Sequence, residues 1–181
     1  MSGGGGPAGA GGFAFEAFRE LLWSQFGASI DMLGNAMRAC PDALWADRTR
    51  QPEFWYVAFH TLFWLDYYLY GREEGFAPPP PYTLDEMDPA GLMPERPYTK
   101  EELLAYLASG RRKCREAIGA LTPEGAAARC GIERRNMNVA ELHLYNLRHV
   151  QHHAAQLNLI LRQATDSAPR WVSRAPDGPG E

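Results

Sequence analysis

The sequence predicts an all-α protein, a four-helix bundle whose second and third helices are joined by a long proline-rich crossover. Three observations carry that prediction. Apolar residues recur at three- and four-residue spacing over four long stretches, the pattern that lines one side of a helix. No stretch of useful length shows the strict alternation of a half-buried strand. Prolines crowd into residues 72–98, which neither a helix interior nor a central strand would tolerate.

The first helix is expected over residues 13–40, where Phe18, Leu22, Phe26, Ile30, Leu33 and Met37 form one stripe and Pro41 closes the run. The second begins near Pro52, whose missing N–H has no partner in a first turn, and runs to Gly71. It is apolar on nearly every side and belongs deep in the bundle. The crossover follows as a surface segment through Pro78–Pro81, Pro89, Pro94 and Pro97. Thr99 with Glu102 forms a capping box that opens the third helix, striped by Leu103, Leu107, Cys114, Ile118 and Leu121. Thr122 and Pro123 start a short helical turn that ends near Gly131. Asn138, with Glu141 three residues on, opens the fourth helix, which continues to about Thr165. The tail, residues 166–181, lacks periodicity and is expected to dock through Trp171 and Val172.

Composition bounds what such a bundle does. Of its 181 residues 45% are hydrophobic and 22% charged, as in ordinary globular domains. A single domain of that length buries roughly 70% of its unfolded surface and needs neither disulfides nor a structural metal. With 18 Lys and Arg against 22 Asp and Glu, a net charge of −4 argues against a nucleic-acid partner. Cys40, Cys114 and Cys130 are odd in number and form no CxxC pair, which fits a reducing cytoplasm. Residues 1–12 read as a flexible Gly-rich leader without the positive start and apolar run of a secretory signal. The most apolar window, residues 54–70, is broken by His60, Thr61 and Asp66 and falls short of the ~20 residues a membrane span needs, so no membrane partner is expected.

At about 100° per residue, Leu142, Asn146, His149, His153, Gln156 and Ile160 project to one side of the fourth helix. The ends of that stripe are apolar, but its middle is two imidazoles flanked by two amides, which must find partners if buried. His149 and His153 stand one turn apart, the separation at which two ring nitrogens converge on one ion. Such a pair alone is commonly a surface or hydrogen-bonded pair. His60, midway along the aromatic second helix, changes the balance, because a bundle brings facing side chains together at its centre. Three neutral imidazoles on one divalent ion leave a coordination position open, as catalytic sites do. Zinc, nickel, iron, cobalt and copper all suit imidazole, so the donor set leaves the element open.

His152 is an alternative to His153 as ligand, or a group at the pocket edge, and Gln156 is placed to hydrogen-bond a ligand or the open position. No HExxH and no paired ExxH motif occurs, which disfavours a zincin peptidase and a di-iron bundle. Glu53 reads as a first-turn acid or a distant base, and Asp66 as the partner of an arginine. Tyr56, Trp64 and Tyr67 read as core residues or pocket walls. Arg111, Arg112 and Arg115 read as a solvated face, and Cys114 as a small core residue.

A histidine in the second helix, followed by LRHVQHHAAQLNLILR at residues 147–162, resembles the DinB/YfiT-like superfamily of small helical metal proteins. The resemblance spans residues 13–165 and rests on His60 and on the closing motif His149, His153 and Gln156; Ala154 and Ala155 stand where that motif often has glycine. It implies an up-down-down-up bundle that commonly forms a homodimer. It also implies a single divalent metal, zinc or nickel, held by His60, His149 and His153. Family members with assigned activity are thiol-dependent S-transferases and isomerases, using bacillithiol or mycothiol, and others are described as metal-dependent hydrolases. The resemblance therefore points to a small-molecule substrate and a low-molecular-weight thiol as partner.

Overall fold

The computed structural model describes residues 8–176, and they hold six helices and no strand. Four helices are long: α1 (Ala8–Ala39), α3 (Phe54–Tyr70), α4 (Lys100–Gly119) and α6 (Val139–Thr165). Two are short, α2 (Asp42–Trp45) and α5 (Pro123–Ala127), and 3-10 turns occupy Asp85–Met87 and Glu133–Arg135. The helix start expected at residue 13 is moved to Ala8, so the last five residues of the assigned leader are helical; residues 1–7 and 177–181 lie outside the described residues. Pro52 precedes the helix it was expected to start. Glu53, with extended backbone, is the N-cap of α3, and its carboxylate takes hydrogen bonds from Arg48 and from Trp55 Nε1.

α3 is the buried centre. Phe54, Phe59, Phe63, Leu65 and Tyr67 are fully enclosed on its several faces, as a helix apolar all round requires. α4 and α6 pack on it, and α1 packs on both of them to close the bundle. Contacts between α1 and α4 run in opposite senses, from Arg19 on the Gly119 carbonyl to Lys100 on the Cys40 carbonyl. The α3–α6 contacts are also antiparallel, with His60 beside His153 and Leu65 beside Asn146.

The capping box of α4 is formed: Glu102 N–H donates to Thr99 Oγ1, and Thr99 N–H to Glu102 Oε2 at 2.8 Å. At the start of α6, Asn138 Oδ1 accepts from Glu141 N–H at 2.8 Å. Asp66 does not pair with an arginine. Its buried carboxylate accepts from Lys113 Nζ at 2.6 Å and from Tyr106 OH at 3.0 Å, because the α3–α4 seam brings those α4 side chains past it. Of the α4 arginines, Arg112 is exposed as expected, but Arg111 grips Asp31 through two hydrogen bonds, and both Arg111 and Arg115 cover the Trp23 ring.

The crossover is more than surface. Phe76, Tyr82 and Tyr98 drop into the core, with Tyr82 stacked on Tyr106 at 4.3 Å between ring centres. The tail docks on α1 through Val172 and Ala175, whose N–H donates to the Ser24 carbonyl, while Trp171 is 69% exposed and takes no part. Among the described residues no helix is long and apolar enough to cross a membrane.

Candidate metal centre

α3 and α6 meet where His60 faces His149 and His153. The three residues bring one nitrogen each within 4.8 Å of one another, and His149 Nε2 stands 3.4 Å from His60 Nε2. Two nitrogens bound to a tetrahedral zinc at 2.0–2.1 Å lie about 3.3–3.4 Å apart, so that spacing is the one a shared ion requires. Among the described residues this is the one group of three acids, thiols or imidazoles close enough to hold an ion. His152 is outside it. It lies exposed beyond the rim, and its Nε2 accepts from Gln156 Nε2 at 3.2 Å.

Two of the three rings are fixed from behind. His60 Nδ1–H donates to Glu86 Oε1, which leaves the Nε2 lone pair facing the cluster. Glu86 also accepts from Trp64 Nε1 at 3.1 Å and, through Oε2, from Tyr56 OH at 3.1 Å. With three donors around it this carboxylate, 4% exposed, is fully provided for. Tyr56 and Trp64, part-buried and packed against the core as expected, thus also hold Glu86. His153 Nδ1 meets Gln156 Oε1 at 2.7 Å, an acceptor that keeps the proton on Nδ1 and frees Nε2. Gln156 itself is at the surface, so the stripe on α6 leaves the core at this point. His149 Nδ1 is buried with no partner among the described residues.

Burial pushes the His149 imidazole down to about 3, with the neighbouring histidines adding to the effect. Burial likewise pushes His153 down to about 4, although the hydrogen bond to Gln156 opposes it. Both rings are therefore neutral at pH 7, the state in which imidazole donates to a metal. The donor set, its spacing and the orientation of its rings fit a divalent transition ion with a position left open. None of the three cysteines joins the cluster; all are buried and free, and burial pushes Cys40 up to about 12 and Cys114 higher still.

Sequence periodicity finds the three histidines but not Glu86. It lies 26 residues from His60, in the irregular crossover, and no spacing rule links the two. Glu53, the acid considered as a base on the second helix, is engaged at the N-terminus of α3 with Arg48 and Trp55.

The profile of the DinB superfamily matches residues 25–157, a span that takes in all three histidines and Glu86. No curated protein and no solved structure gives a significant match. The profile covers well over half of the chain, which with its all-helical fold belongs to the DinB superfamily.

Proposed function

We propose that the protein is a metalloenzyme that binds one divalent transition ion, zinc or nickel, through His60, His149 and His153 and promotes S-transfer from a small thiol to an electrophile. The observation that carries the reading is the convergence of three imidazoles, two of them turned by Glu86 and Gln156 to present Nε2. An ion held this way supplies Lewis acidity, drawing a thiol or a water into its anionic form at neutral pH. The chain's part is positional. Glu86 holds the His60 ring and makes it a better donor, Gln156 does the same for His153, and burial keeps His149 and His153 unprotonated. In the transfer, the thiolate sulfur forms the bond to the electrophilic carbon while the leaving group departs with its bonding pair.

The rival reaction is hydrolysis, in which water takes the place of the thiol. Product analysis and pH–rate profiles with and without added thiol separate the two. A non-catalytic bundle whose histidines merely hydrogen-bond is separated by metal content. Protein purified without an affinity tag is expected to carry close to one equivalent of transition metal. His149→Ala and His153→Ala are expected to lose most of it while keeping their helicity. Well under one equivalent in the wild type, with no gain in melting temperature on adding zinc or nickel, overturns the reading.

A cytoplasmic setting and a homodimer belong to the same proposal. Three reduced, buried cysteines support the first, and exposed Leu21 on α1 with Leu144 and Leu159 on α6 supports the second. Sedimentation of the untagged protein tests the dimer.

A further inference from the structure

The turn Glu133–Arg135, which connects α5 to α6, carries two arginines of different kinds. Arg134 has an acid nearby, with its Nε 4.0 Å from Glu73. Arg135 has none: among the described residues no carboxylate lies within ion-pair distance of it. Its guanidinium lies 4.5 Å from the ring centre of Tyr145 and 5.3 Å from that of Tyr68, and its Nη2 donates to Tyr68 OH at 2.6 Å. Its Nε is buried and has no partner. A part-buried cation with an enclosed donor unanswered is short of an anion.

The two rings that carry Arg135 also border the histidine cluster. Tyr68 meets His149 edge-on at 6.0 Å between ring centres. Tyr145 lines, with Arg148, His149 and His152, an open hollow of about 550 Å³. Arg148 stands exposed on its rim, and no acid among the described residues pairs with it. The turn that places Arg135 is pinned at several points. Ile132 is wholly buried, Gly131 N–H donates to the Gly71 carbonyl at 2.8 Å, and Cys130 N–H donates to the Met137 carbonyl at 3.0 Å. A side chain at Gly131 would run into Arg72, its Cβ only 2.5 Å from that residue's Cβ, so this close crossing is open to glycine alone.

We propose that the site selects a small molecule bearing a carboxylate, which Arg135 binds through the part-exposed end of its guanidinium, with Arg148 adding charge at the rim, while the rest of the ligand reaches the histidine cluster. This rests on the metal reading above and names the class of substrate that reading leaves open. A planar guanidinium held between two aromatic rings is already ordered for a two-point grip on a carboxylate.

The test uses the full chain loaded with cobalt(II), whose sulfur-to-cobalt absorption reports thiolate binding. 3-Mercaptopropionate and 3-mercaptopropanol are titrated side by side; they differ in the carboxylate. Wild type is expected to bind the acid at least about tenfold more tightly. Arg135→Met is expected to reduce that preference to within about twofold and leave both the alcohol's affinity and the cobalt affinity in place. Arg135→Lys keeps part of the preference, and Arg148→Met, an exposed change that leaves packing alone, lowers it by a smaller factor. Raising salt shrinks the preference in the wild type and not in Arg135→Met. Cobalt uptake with equal affinities for the two thiols, or a preference that survives in Arg135→Met, overturns this inference alone. No cobalt uptake at all overturns it together with the metal reading.

Discussion

Glu86 shows how much one side chain decides. Its carboxylate sits almost wholly out of water, takes up three donors, and fixes which nitrogen of His60 faces the cluster. Glu86→Gln keeps the shape but removes the charge and offers an N–H where Trp64 or His60 needs an acceptor. Metal affinity measured by chelator competition is expected to fall roughly tenfold to a hundredfold, with the far-ultraviolet circular dichroism unchanged. Wild-type affinity in Glu86→Gln would reduce Glu86 to a packing residue. The histidines were readable beforehand because helix geometry turns a spacing of four into proximity, and because an imidazole in an otherwise apolar helix asks for a partner. Glu86 and Arg135 were not readable. Both sit in 3-10 turns inside irregular segments, where a residue's direction is set by tertiary contacts and leaves no period in the sequence.

At the scale of elements, the long helices announce themselves by stripe and cap, while short ones do not. α4 begins where Thr99 and Glu102 said it would, since a capping box is a local device. α2, a single turn between Pro41 and the loop to α3, is too short to show a period. The hydrogen bonds from Arg96, with the backbone N–H of Thr99, hold the Glu102 carboxyl down to about 2, below its ordinary 4.5. The folded state thus binds this proton less readily than the unfolded chain. The cap's contribution is fully present above pH 4.5 and is lost as pH falls through 2. Glu102→Gln is therefore expected to destabilise the protein by up to about 1 kcal/mol at pH 7, the site being near the surface, and to match wild type at pH 2 in urea titrations. A difference that stays constant across that range would mean the charge contributes nothing. Deeper in the same seam, Lys113→Met strands the Asp66 carboxylate with Tyr106 as its remaining donor. A loss of about 3 kcal/mol is expected by urea unfolding, and Asp66→Asn combined with Lys113→Met should recover part of it.

The whole molecule separates what folds it from what it holds. Its core runs unbroken from Phe26 and Leu33 on α1 through the aromatic length of α3 to Leu103 on α4 and Leu157 on α6, all of them fully or almost fully enclosed. A chain with so continuous a core gains its folding free energy from apolar burial, unlike small metal-built domains that unfold on chelation. The histidine cluster lies at one edge of that core, on two helices already locked together by contacts such as Asn146 Nδ2 on the Leu65 carbonyl. Metal binding then acts as ligand binding to a finished fold. Protein stripped with a chelator is expected to keep its full helical signal and a cooperative melt. Free zinc at about a hundred times its dissociation constant adds about 2.7 kcal/mol, which for a chain of this size raises the melting temperature by roughly 5–10 °C. His149→Ala should melt within a few degrees of stripped wild type and show almost none of that rise. If chelation instead collapses the helices, the ion is part of the fold, and the division between core and site drawn from the packing of α3 is mistaken.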